Sequence, residues 1–205
     1  VSCYRYSFHN ESIMHFIMIL YPTETLYALG VNALKESELD LLRELKERDK
    51  SKAAMSWLVR TIDDIAKYAE MTDKAAKIAE HFLPGSLTLV LKADAVIPQR
   101  YLAPDGTIGF RISTDPQARK VIEDFMVEHN APLTCTSANV SGAPTLPTPG
   151  EILQQFGPRA HMIDTVIDDG PRKGLASTIV RIIGDEISIL REGEISEKDI
   201  YNALE

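Results

Sequence analysis

The sequence predicts a single α/β domain built on a twisted, mixed β-sheet with flanking helices. Three observations lead there. Strand-like and helix-like segments alternate over nearly all 205 residues, the pattern of a layered α/β architecture. Two β-rich segments near the C-terminus, 177–183 and 187–191, flank Gly184-Asp185 at hairpin spacing, which puts antiparallel pairs in the sheet. No internal repeat, low-complexity tract or Gly/Ser linker divides the chain, and the richest Pro/Gly stretch, 142–150, is short and polar and reads as a loop.

In chain order, residues 1–12 have neither period nor turn logic and read as a poorly ordered extension or a start-site artefact, leaving 13–205 for the domain. Residues 17–21 are apolar and β-prone, closed by Pro22, and form a buried strand. Residues 37–45 set Leu39, Leu41, Leu42 and Leu45 near helical spacing, with Ser37 as N-cap. Residues 53–59 read as a strand; 62–68 and 73–82 as helices introduced by Thr61 and Thr72. Residues 87–92 and 107–112 alternate as strands, and 116–129 is a helix with proline at its first position. A short strand at 133–136 enters a polar loop. Helix 150–156, strand 162–167, the C-terminal hairpin and helix 196–204 complete the chain.

Composition narrows the function. The formal charge is −8 with 22 Lys and Arg, which argues against a protein that coats nucleic acid but leaves room for a local positive groove. Two isolated cysteines, Cys3 and Cys135, make neither a disulfide framework nor a zinc knuckle and fit a reducing, cytoplasmic compartment. The longest apolar run, 13–20, is broken by His15 and is far short of the ~20 residues that span a bilayer. It has no basic flank or small-residue cleavage site, so neither a membrane span nor a signal peptide is expected. H-x-x-x-H, C-x-x-C and EF-hand spacings are missing, so no structural metal is expected and any Mg²⁺ would arrive with phosphates.

Several segments carry usable chemistry. YPTETLYALG at 21–30 runs a buried strand into hydroxyls and a carboxylate, the kind of strand end that opens onto ligands; the ordinary reading is a turn in which Thr23 and Thr25 cap a following helix. Lys46 and Arg48 form a K-x-R at a helix C-terminus, either a phosphate clamp or a surface end favoured by the dipole. TCTSANVSG at 134–142 follows a strand with small polar side chains, including Ser137 and Asn139, and can present hydroxyls, an amide and backbone N–H groups to an anion. No G-x-S-x-G elbow or Walker loop is present. Arg111 shares one face of its strand with Thr107 and Gly109; it meets either an acidic ligand or a nearby carboxylate.

Taken in order, YPTETLYALG, the K-x-R, PGSLTLVLK, TIGFRI, TSANVSG followed by Pro144-Thr145, STIV and ILREG resemble the YrdC-like threonylcarbamoyl-AMP synthases, collinearly from Tyr21 to about Gly193. The resemblance implies a single catalytic domain of the YrdC/RibB-like fold over 13–205, with an electropositive groove. It also implies synthesis of threonylcarbamoyl-AMP and pyrophosphate from L-threonine, bicarbonate and ATP with Mg²⁺. The product serves threonylcarbamoyladenosine formation on tRNA through a downstream threonylcarbamoyl transferase, with tRNA or double-stranded RNA as further partners. Carried over residue by residue, Lys46, Arg48, Ser137 and Asn139 are implied as catalytic; Arg48, Lys52, Thr107, Ser137, Thr145 and Arg191 as ATP-binding; Thr25, Arg111 and Ser177 as threonine-binding. The family's K-G-R-P…[KN]-P-L…H stretch is here Lys46-Glu47-Arg48-Asp49…Lys52-Ala53-Ala54…Trp57, without its prolines or its histidine. The competing class is an RNA- or nucleotide-binding module that acts in tRNA or ribosome maturation without turnover of its own.

Overall fold

The computed structural model describes residues 2–5, 18–49, 54–95 and 97–205. Two mixed sheets share the molecule. The first has the order β1-β9-β2-β3-β8, from Ser2–Arg5, Thr165–Asp168, Ile19–Pro22, Tyr27–Gly30 and Thr136–Ser137. The second has the order β11-β10-β5-β6-β4-β7, from Glu186–Arg191, Thr178–Ile183, Leu87–Lys92, Thr107–Arg111, Trp57–Leu58 and Leu133–Thr134. β9/β2, β10/β5 and β4/β6 are parallel and the other pairs antiparallel. Within the stretch read as an extension, Ser2–Arg5 pairs with β9; residues 6–17 lie outside the described residues.

The helices start where short polar side chains accept the orphan N–H groups of a first turn. Thr61 accepts from Asp64 N before α2 (Ile62–Ala66) and Thr72 from Ala75 N before α3 (Asp73–Phe82). Asp115 accepts from Gln117 and Ala118 N before α4 (Pro116–His129), which ends on a left-handed Asn130. Thr148 and Ser196 do the same for α5 (Pro149–Phe156) and α6 (Glu197–Asn202). The exception is α1 (Glu36–Leu45), capped at Lys35 without a side-chain bond. Ser37 is not the cap, because Glu38 reaches back to Asn32 N at 2.9 Å and to Lys35 Nζ at 3.0 Å and shapes the entry. No helix among the described residues is long and apolar enough to cross a membrane.

Two departures from the expected elements position the site. Thr23 and Thr25 cap no helix: β3 follows them directly and pairs with β2. The segment expected as one strand at 133–136 is two. Leu133 and Thr134 pair with Leu58 and Trp57 in the six-stranded sheet, while Thr136 and Ser137 pair with Leu29 and Ala28 in the five-stranded sheet. Buried Cys135 is the crossing residue. Trp57, which stands where the family places its histidine, is 2% exposed and packs edge-on against Tyr68 and Phe110; it belongs to the core.

Candidate active site

Where the sheets meet, a cavity of about 310 Å³ is lined by the β2–β3 turn, the 54–56 segment, β5, β6, β8 and the start and end of the C-terminal hairpin. The described lining residues include three arginines, Arg48, Arg111 and Arg191, and no carboxylate. Hydroxyls from Thr23, Thr25, Ser56, Thr88, Ser137 and Ser177 fill the spaces between them.

The β2–β3 turn is organised by Thr23, whose hydroxyl donates to Leu26 O at 2.6 Å and accepts from Leu26 N at 3.2 Å. That leaves the Thr25 hydroxyl facing Thr23 Oγ1 at 3.1 Å and accepting from Arg111 Nη2 at 3.3 Å. Arg111 arrives from the end of β6 and is 8% exposed. It forms the carboxylate pair that its sequence context left open, with Glu24, but the pair is buried behind the cavity. The face above Gly109 is not empty: a Cβ there would meet Ser56 Oγ at 2.8 Å and Thr88 Cγ2 at 3.1 Å, so two lining residues fill it. Opposite, Ser177 Oγ and Thr88 Oγ1 lie 2.8 Å apart. Arg191 donates to Ser177 O from Nε at 3.1 Å and Nη2 at 2.7 Å. Gly193 permits this corner, since a Cβ would stand 1.9 Å from Ala176 O.

Arg48 enters from just beyond the C-terminal end of α1, its Nη2 donating to Ala54 O at 3.0 Å. Burial, and then the charge of Arg43, lower its pKa; burial, and then Arg111, lower that of Arg191. A cavity in which cations repel one another and acids are excluded attracts anions.

Arg48, Ser137, Thr25, Arg111, Ser177 and Arg191 therefore share one cavity. Arg191, implied on the nucleotide side, grips Ser177, implied on the threonine side. Four implied residues do not line it. Thr107 lies at the other end of β6, about 13 Å along the strand from Arg111 at ~3.3 Å per residue, and donates to Asp105 Oδ1 at 2.7 Å. Thr145 is exposed, on a loop that Gln155 ties to α5 through Val140 N and Pro144 O, both at 3.0 Å. Asn139 turns inward: Nδ2 donates to Val140 O at 3.0 Å and Ala143 O at 2.7 Å, while Oδ1 accepts from Ser137 Oγ at 2.6 Å. Its amide shapes the loop and aims Ser137, so it carries stability as well as position. Lys46 is 2% exposed, its ammonium donating to Ser137 O and, at 2.8 Å, Asn139 O, while its own carbonyl accepts from Ser141 N at 2.8 Å. It pins the polar loop to the end of α1. Lys52 lies outside the described residues.

Lys46 offers a direct measurement. Burial, and then Arg48, lower its pKa to about 7, so above that pH the folded protein releases a proton that the unfolded chain keeps until about 10.5. Unfolding then takes up a proton, and stability rises with pH through this window; below about 7 both states are charged and the burial penalty is complete. Relative to Lys46→Met, the wild type should gain ~1.4 kcal/mol per pH unit within the window, read by urea unfolding at each pH. A difference independent of pH would show that the ammonium stays charged in its cage.

Sequence reasoning singled out the 21–30 and 134–142 segments but gave no role to Glu24, Ser56, Thr88 or Ser113. Thr88 had a visible signal: it alternates with Leu87, Leu89 and Leu91 and is the one hydroxyl in the strand LTLVLK.

The Sua5/YciO/YrdC family model, described as telomere recombination, matches residues 17–193. A Methanocaldococcus jannaschii relative is 36% identical over 189 residues, covering 92% of this chain and 85% of its own length. The Bacillus subtilis threonylcarbamoyl-AMP synthase is 32% identical over 194 residues, covering 89% of this chain and 51% of that protein. The structure of Pyrococcus abyssi Sua5 complexed with L-threonine superposes with a TM-score of 0.81 at 28% identity, over 92% of this chain and 54% of that one. The chain thus spans about half the length of the B. subtilis and P. abyssi proteins.

Proposed function

The chain belongs to the Sua5/YciO/YrdC family, and from that premise we propose that it makes threonylcarbamoyl-AMP from L-threonine, bicarbonate and ATP. The observation that carries the reading is the cavity itself, with three arginines and no carboxylate among its described lining residues. Every reactant brings negative charge: the threonine carboxylate, bicarbonate and the triphosphate. The threonine amine displaces water from bicarbonate to give a carbamate, whose oxygen attacks the α-phosphorus as the bond to the β-phosphate breaks. No enzyme nucleophile takes part, so positioning and charge neutralisation carry the catalysis.

Arg111, Thr25 and Ser177 take the threonine end, with Arg111 offering a planar fork to the carboxylate. Arg48 and the Ser137 hydroxyl take the nucleotide end, Lys52 and Arg191 assist there, and Lys46 and Asn139 hold the loop that presents Ser137. Mg²⁺ suits this donor set as a cation held by the ligand's phosphates, because the described lining offers it no carboxylate; its chemistry is to screen phosphate charge. The product supplies a transferase that modifies tRNA, with tRNA as a further partner, in the reducing cytoplasm that suits the free, buried Cys135. Purified protein with ATP and Mg²⁺ should release pyrophosphate only when threonine and bicarbonate are both present. Binding of nucleotide with no release above a threonine-free control would leave a binding module.

A further inference from the structure

Arg111 enters the cavity from the six-stranded sheet, whereas Glu24 belongs to the β2–β3 turn of the five-stranded sheet. Glu24 commits both carboxylate oxygens to the other side of this junction. Oε1 accepts from Arg111 Nη2, and Oε2 accepts from the Ser113 hydroxyl two residues beyond Arg111. The Glu24 side chain is 13% exposed and does not line the cavity. Ser113 is fixed in turn, its Oγ accepting from Asp115 N at 3.1 Å, one residue before α4. Arg111 Nη2 is thereby held between Glu24 and Thr25, and the buried Cys135 thiol also lies against the guanidinium. Holding a donor group in its bound orientation lowers the ordering cost of binding, and a bidentate grip on a carboxylate depends on the orientation of the guanidinium plane.

We infer that Glu24, oriented by Ser113, is the positioning residue that fixes the plane of Arg111 across the sheet junction and so sets the affinity of the cavity for the amino-acid carboxylate. The inference rests on the threonine-binding reading above. Both Glu24 oxygens are occupied away from the cavity, so its part is to orient the guanidinium and not to take a proton from the substrate amine.

Calorimetric titration of L-threonine and of ATP into the wild type, Glu24→Ala, Glu24→Gln and Ser113→Ala separates the outcomes. Glu24→Ala should weaken threonine binding by at least about tenfold and change ATP binding by less than about twofold. Glu24→Gln should restore most of the affinity, because its amide oxygen still accepts from Arg111 and its nitrogen can donate to Ser113 Oγ. Ser113→Ala should give the same selective shift, smaller, at roughly threefold. These last two variants decide the matter should Glu24→Ala fail to fold. Unchanged threonine affinity in Glu24→Ala or Ser113→Ala overturns the inference. So does Glu24→Gln that binds threonine normally but makes no pyrophosphate, which would make Glu24 a proton acceptor, and so does an equal loss of both ligands. A wild type that takes up no threonine at all sinks the synthase reading and this inference together, whereas normal wild-type binding with an indifferent Glu24→Ala sinks only the inference.

Discussion

Arg111→Lys should raise the threonine concentration needed for pyrophosphate release by roughly 10–100-fold, with the ATP requirement nearly unchanged, as expected for losing ~1.5–3 kcal/mol of charge-assisted bonding. Were Arg111 an exposed ion-pair partner, lysine would replace it almost without loss, since such pairs contribute little. The structure removes that equivalence: Arg111 is 8% exposed, lines the cavity and is held through one nitrogen by Glu24. Lysine preserves the charge beside Glu24 and loses the planar fork. Initial rates against threonine at saturating ATP make the comparison, and an unchanged threonine dependence would contradict the role given to Arg111.

Arg48→Ala should act on the other ligand. Its guanidinium lines the cavity and donates to Ala54 O at 3.0 Å, on a different segment from the Thr25, Arg111, Ser177 and Thr88 cluster assigned above to threonine. Loss of a phosphate contact of ~1.5–3 kcal/mol raises the ATP requirement by roughly 10–100-fold and leaves the threonine requirement nearly intact. Arg48 is half-buried, so the thermal midpoint should move by only a few degrees. Unchanged ATP kinetics would return Arg48 to a surface role at the end of α1. Together the two variants dissect the cavity into its ends, one perturbing each substrate.

Much of this was legible in the sequence, for identifiable reasons. The period-2 alternation of Leu87–Lys92, the cap at Thr72 and the proline that opens the helix at 116 are local features, and they placed β5, α3 and α4 at their observed bounds. Local reasoning failed where a long-range partner decided the outcome. β3 was missed because Tyr27–Gly30 is four residues long and becomes a strand by pairing with β2 and β8 on either side. Ser37 lost the cap to a carboxylate reaching back from Glu38. In the site, residue type was the better guide and distance was invisible. Arg48, Arg111, Ser137 and Ser177 meet in one cavity, whereas Thr107 shares a strand face with Arg111 but lies outside the lining, at the other end of β6. Lys46 shows a related limit: a K-x-R suggests two cations facing one ligand, but the first is drawn under a loop by two carbonyls. No pattern along the chain states where a carbonyl 91 residues away will lie.

On the proposed function, this cavity joins a carbamate of threonine to AMP. Incubating the protein with ATP, Mg²⁺, L-threonine and 13C-bicarbonate, and reading the products by mass spectrometry, tests it most directly. Threonylcarbamoyl-AMP should appear one dalton heavier than with ordinary bicarbonate, formed in step with pyrophosphate and absent without threonine. Pyrophosphate formed without that labelled adduct, or no ATP consumption at all, would contradict the proposed function.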